Sequence, residues 1–147
     1  MKFLVINGVN LNFLGIRERE VYGDQDYDYL VRIIKEKAEA DGDLAECFQS
    51  NHEGAIVDRI QQAYFDGTDG LIINPGAHTH YSYAIHDALK SVTMPKVEVH
   101  ISRIDERESF RHTSVTLPAC DAQIVGEGFA GYLKAMDLAK ELRRQRM

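Results

Sequence analysis

Apolar residues gather in five short runs along the chain: Phe3 to Ile6, Leu44 to Phe48, Leu71 to Ile73, Val97 to Ile101 and Ala122 to Val125. Runs of this length, separated by helix-like segments, predict strands. Between the second and third runs, Ile56, Ile60, Ala63 and Tyr64 recur at the spacing that lines one face of a helix. Tyr132, Ala135, Met136, Ala139 and Leu142 repeat that spacing near the carboxyl end. Strands alternating with amphipathic helices imply right-handed βαβ crossovers and a mainly parallel sheet covered on both faces.

Five strands in such an alternation suit an α/β fold of flavodoxin-like type, a doubly wound five-stranded parallel sheet with helices on both faces. With 147 residues, 44% of them hydrophobic, the chain has the usual size of one compact domain, and the expectation is a single catalytic domain over residues 1–147. A formal net charge of -6 argues against nucleic acid and against an anionic membrane surface as partners. A small anionic substrate in a local cationic pocket stays compatible with it. Cys47 and Cys120 form no CxxC pair and read as packed residues in a reducing compartment. The apolar stretch Phe3-Leu4-Val5-Ile6 is far short of a signal-peptide core or a membrane span, so the expected location is the cytoplasm. Lys140, Arg143, Arg144 and Arg146 read as a solvated helix end that complements the macrodipole.

In doubly wound sheets, ligands bind beyond the carboxyl ends of the strands. The residues there are polar and varied. The first run is followed by Asn7, Asn10 and a loop of about sixteen residues reaching Tyr22-Gly23-Asp24, longer than most βα connections and a lid candidate. The third run leads into Asn74-Pro75-Gly76-Ala77-His78-Thr79-His80, and the fourth carries Glu98-Val99-His100-Ile101-Ser102. Glu98 and His100, two apart on a strand, leave the same face, and the carboxylate favours imidazolium. The pair is either a hydrogen-bonded structural histidine or a proton donor. Tyr22 is either a lid aromatic or a base; a phenol with a pKa of about 10 needs a neighbouring positive charge to ionise near neutrality, and Arg17 in the same loop could supply it.

Other chemistries fit less well. His78 and His80, with His100 and His112, could be taken for a zinc cluster, but the spacing fixes no set of three convergent ligands. Gly126-x-Gly128-x-x-Gly131 formally matches a dinucleotide fingerprint, yet it follows the last strand, with no βαβ unit left to carry a ribose-binding acid. Those glycines read instead as a tight turn and a close helix approach. No Gly-x-Ser-x-Gly elbow or Walker loop is present, leaving an acid/base enzyme without a cofactor or metal as the economical reading.

Four ordered blocks sharpen it. Ile6-Asn7-Gly8-Val9-Asn10-Leu11-Asn12 with Leu14-Gly15-Ile16-Arg17-Glu18 and Tyr22-Gly23 resembles the opening signature of the type II 3-dehydroquinate dehydratases. Asn74-Pro75-Gly76-Ala77 with Thr79-His80-x-Ser82 and Asp87-Ala88-Leu89 resembles their central block, and Glu98 to Ser102 with Arg107-Glu108 and Phe110-Arg111-His112 resembles the third. The late glycines and Gly131-Tyr132 are similar to the closing one. The resemblance implies a flavodoxin-like subunit, trimer units assembled into a dodecamer, and reversible cofactor-free dehydration of the small molecule 3-dehydroquinate, in aromatic biosynthesis or quinate breakdown. It also implies roles. Tyr22 is the phenolate base, assisted by Arg17; Asn10 holds a water that stabilises the enolate; His100, oriented by Glu98, protonates the leaving hydroxyl. Asn74 and the amides of Ile101 and Ser102 receive the carboxylate, His80 and Arg111 hold ring hydroxyls, and Asp87 reaches a neighbouring subunit's site. Val9 and Arg19 stand where the family has proline, which implies a more mobile lid. Arg103 and Asp105 stand where it has Asn and His, implying altered affinity or ionic contacts between subunits.

Overall fold

A computed structural model describes residues 1–147. Five strands, β1 (Lys2–Asn7), β2 (Leu44–Gln49), β3 (Gly70–Asn74), β4 (Lys96–His100) and β5 (Ala122–Val125), pair in parallel in the order β2-β1-β3-β4-β5. Each lies within about one residue of its predicted run. The order is the flavodoxin-like one, with its winding reversed between β1 and β3, where a crevice opens at the carboxyl ends.

A single helical turn, α1 (Arg19–Tyr22), lies in the long first connection, and α2 (Tyr27–Ala40), α3 (Glu53–Phe65), α4 (Tyr83–Lys90) and α5 (Ala130–Arg146) cover the sheet. Side chains alternate across each strand, so Phe3, Val5, Ile72, Val97 and Val99 meet α2 and α5 on one face. Leu4, Ile6, Leu71 and Ile73 meet α3 and α4 on the other. This two-sided burial explains why β1 and β3 are unbroken apolar runs, whereas β4, buried as completely, alternates its valines with Lys96, Glu98 and His100. Each fully buried Leu or Ile contributes about 1.5–3 kcal/mol. Two helix starts are fixed by side chains: Asp26 accepts the Tyr29 N–H at 2.8 Å ahead of α2, and Ser82 accepts the Ile85 N–H at 3.0 Å ahead of α4.

Three expectations change. Tyr64 is 63% exposed and packs edge-on against Phe65 instead of joining Ile56, Ile60 and Ala63 in the core. At the carboxyl end of α5 the cations are paired: Lys140 with Asp43, Arg143 with Asp69 at 3.2 Å and Arg146 with Asp121 at 2.6 Å. Each of those aspartates immediately precedes a strand, so the tail ties the helix to the base of the sheet. In the glycine motif, Gly126 has φ 78° and a Cβ there would sit 2.2 Å from Arg103 Cδ, which fits the tight turn. A Cβ at Gly131 would make only ordinary contact, 3.4 Å from Ile124, so close helix approach does not require that glycine.

Both cysteines are free and partly buried. Burial pushes the Cys47 thiol up to about 11 and the Cys120 thiol up to about 12.

Candidate active site

The crevice is shaped by backbones before any side chain enters it. Gly8, just past β1, donates its N–H to the Asn74 carbonyl at 2.8 Å, and a Cβ on it would lie 2.3 Å from the Pro75 oxygen. Only glycine lets the ends of β1 and β3 run so close. Beyond it Asn10 takes a left-handed conformation with φ 69°, its N–H bonded to Asn51 Oδ1 at 2.9 Å. Gln49 Nε2 donates to the Gly8 carbonyl and to Asn51 Oδ1, 3.2 Å in each case, so the end of β2 braces this turn.

From here the chain arcs over the crevice and returns at α1, which presents Tyr22. The Arg17 guanidinium lies over the Tyr22 ring, 5.3 Å from its centroid, and pairs with Glu18. The group on the phenolic oxygen is a different one: Arg107 Nη1 donates to it at 2.7 Å, while Arg107 Nη2 stands 3.6 Å from Glu18. Glu18 therefore bridges two guanidiniums that flank one phenol. Arg107 comes from the segment after β4 and also donates to Ser102 Oγ at 3.3 Å. Arg19 ties the lid to itself, Nε donating to the Gly15 carbonyl at 2.9 Å.

On the opposite side, β4 places His100 on the crevice with Glu98 behind it, 0% exposed. His100 Nε2 is 2.9 Å from Glu98 Oε2. Burial pushes the Glu98 carboxyl up, but hydrogen bonds from His100, Thr116 and Gln123, with the His100 charge, outweigh it and hold the group below the usual carboxylate range. An ionised carboxylate can only accept, so Nε2 carries the hydrogen and Nδ1 is the ring nitrogen left for the crevice.

Asn74 closes the floor. Its Oδ1 accepts the Gly76 N–H at 3.1 Å and its Nδ2 donates to the Tyr132 hydroxyl at 2.9 Å, which in turn donates to Asn7 Oδ1 at 2.6 Å. Tyr132 is fully enclosed, and its burial pushes the phenol up, so it stays a protonated donor. At the rim, His80 Nδ1 donates to the Thr113 carbonyl at 2.8 Å. Burial, with the charges of His100 and Arg111 nearby, holds the His80 imidazole below its ordinary value despite that bond, leaving a neutral ring whose Nε2 can accept. Arg111 bonds Glu108 at 2.5 Å and lies over Phe110.

Asn10, Arg17, Tyr22, Asn74, His80, His100, Ile101, Ser102 and Arg111 thus share one cavity, and Glu98 supports it from behind. Asp87 does not: its side chain, 80% exposed on α4, pairs with His86. His78 also lies apart, its ring against Tyr81, and no three His, Cys, Asp or Glu side chains are grouped to hold a metal ion. Arg103 and Asp105 pair with each other at 2.8 Å outside the cavity. Sequence reasoning missed the contact of Arg107 with the phenol, the donors around Glu98 and the Tyr132 strut beneath Asn74. Arg107 and Tyr132 stand in motif blocks; no local signal marks the rest.

Chemically, the cavity offers a phenol between two cations, an imidazole backed by a carboxylate, and amide and guanidinium groups suited to a small carboxylated, hydroxylated molecule. Residues 1–140 match the family described as Dehydroquinase class II. The chain is 60% identical to the 3-dehydroquinate dehydratase of Lachnospira eligens, over 97% of each sequence. Its fold is similar to the crystal structure of a type II dehydroquinase from Butyrivibrio crossotus, with TM-score 0.94 and 62% identity over 95% of this chain and 97% of that one. The corresponding enzyme from Propionibacterium acnes gives TM-score 0.90 and 41% identity over 95% and 96%. Sequence, fold and the make-up of the crevice agree: the chain belongs to the class II dehydroquinases, the family that dehydrates 3-dehydroquinate.

Proposed function

We propose that this chain, acting as one catalytic domain, converts 3-dehydroquinate to 3-dehydroshikimate by stepwise elimination. Tyr22, as phenolate, takes a proton from the carbon beside the ketone, and the electron pair moves onto the carbonyl oxygen as an enolate. A water held by Asn10 stabilises that charge. The enolate then expels the hydroxyl, which leaves as water after accepting a proton from His100 Nδ1. Glu98 keeps the other ring nitrogen protonated and the ring oriented. Asn74 and the amides of Ile101 and Ser102 receive the substrate carboxylate. Neutral His80 accepts from a ring hydroxyl, Arg111 donates to another, and Asp87 completes the site of a neighbouring subunit in a trimer-based dodecamer. The step leaves Tyr22 protonated and His100 without its Nδ1 proton, so a net transfer of one proton from the phenol to the imidazole, by way of solvent, restores both groups, and no redox step or Schiff base is needed.

The supporting observation is that Tyr22, with a guanidinium nitrogen 2.7 Å from its oxygen, and His100, with a carboxylate behind it, line the same cavity. Purified protein given 3-dehydroquinate should generate the ultraviolet absorbance of a conjugated enone. Tyr22→Phe should abolish most of that turnover while ligand binding persists, since only one oxygen is deleted. His100→Ala should lower turnover about 10²-fold to 10⁴-fold. Near-normal rates in Tyr22→Phe would remove the phenol from the mechanism.

A further inference from the structure

The Glu98 carboxylate, wholly shut off from solvent, accepts from four side chains. His100 Nε2 and Gln123 Nε2 donate to Oε2 from 2.9 and 2.8 Å. Thr116 Oγ1 donates to Oε1, and Ser114 Oγ lies 3.1 Å from Oε1 and 2.9 Å from Oε2. Ser114 also accepts the Leu117 N–H at 2.9 Å, which anchors the turn that carries Thr116. None of Ser114, Thr116 and Gln123 lines the cavity; two come from the segment leading back to the sheet and one from the edge strand β5. A buried acid without such donors takes up a proton. With them the charge persists, and its direction is fixed toward one imidazole nitrogen.

We propose that Thr116, Gln123 and Ser114 are positioning residues for the dehydration, holding Glu98 ionised and aimed so that His100 keeps its Nε2 hydrogen and turns Nδ1 to the substrate. The inference rests on the reading of His100 as the general acid. Besides His100, the titratable groups that interact with this carboxylate are His80 and Cys120. His80 is held neutral, and burial keeps the Cys120 thiol protonated, so neither adds a competing charge near neutrality. Donors that merely satisfied a structural carboxylate would affect stability alone. Donors that set the acid would also affect the pH dependence of turnover, because losing one makes the carboxylate easier to protonate.

The test is steady-state kinetics of Thr116→Val, Gln123→Leu, Thr116→Ser and His100→Ala between about pH 5 and pH 9. Loss of a hydrogen bond to a charged group predicts that kcat falls about tenfold to hundredfold in Thr116→Val and Gln123→Leu, with little change in KM. The acid limb of their profiles should move to higher pH, and Thr116→Ser, which keeps the hydroxyl, should restore both the rate and the limb. Should Thr116→Val fail to fold, Gln123→Leu decides, since it alters a half-buried residue of an edge strand. A wild-type rate and profile in Gln123→Leu and in any folded Thr116→Val, beside an inactive His100→Ala, would overturn the inference and leave the catalytic reading standing. A fully active His100→Ala would overturn both.

Discussion

A phenol serves as a base near neutrality only when positive charge stabilises its anion, and here the cation on the oxygen is Arg107, with Arg17 against the ring. Arg107→Ala should therefore lower kcat about 10²-fold to 10³-fold, the loss typical of one donor aimed at a reacting oxygen, and Arg107→Lys should recover only part of it. Unchanged kcat in Arg107→Ala would return the role to Arg17 alone. Glu98 gives a second prediction. Because its folded-state acidity is strengthened, the stability it contributes is complete above the ordinary glutamate range and is lost as pH falls through the lower folded value. Urea denaturation below about pH 4 should accordingly show a shallower acid-side loss in Glu98→Gln than in the wild type. The sequence reveals Glu98 and His100 as a same-face pair, and it holds Tyr22 and Arg17 in one loop. It does not reveal that Arg107, 85 residues from Tyr22, folds back onto the phenol, because that contact depends on where the segment after β4 lands.

The strands β1 and β3 are legible because burial on both faces makes their runs continuous, and α3 and α5 because their apolar spacing is regular. The turn α1 is not, since a four-residue helix carries no periodicity. The lid's far end is anchored where Asp26 begins α2, so Asp26→Ala should cost about 1 kcal/mol in urea denaturation. The tail of α5 read as solvated because its partners, Asp43, Asp69 and Asp121, are distant in sequence and become neighbours only once the sheet forms. The Arg143 pair is partly exposed, so Arg143→Ala should cost less than about 1 kcal/mol, and the difference should vanish in high salt.

In the whole molecule, one crevice collects side chains from the ends of three strands, the lid and the segment after β4, yet Asp87 points away from it. The proposed role of Asp87 in the reaction therefore requires a second copy of the chain. Sedimentation should give a mass that is a trimer or dodecamer multiple of 16.7 kDa. Asp87→Ala and Tyr22→Phe subunits, each nearly inactive alone, should regain activity when co-assembled, because some interfaces then unite an intact Tyr22 with an intact Asp87. Mixed assemblies no more active than their parents would confine Asp87 to a surface role. The fold class could be read from the alternation of elements, whereas complementation between copies cannot be read from one chain's pattern.

The two shielded thiols make the protein a convenient carrier for a reporter. Burial keeps both protonated at neutral pH, so both should react sluggishly with maleimides. A cysteine placed at Ile16, on the exposed arc of the lid and outside the cavity, would then take up a fluorophore far faster than either native thiol. A change in its emission on adding ligand would report movement of that arc, and constant emission would report a static one, with no need to remove the native cysteines first.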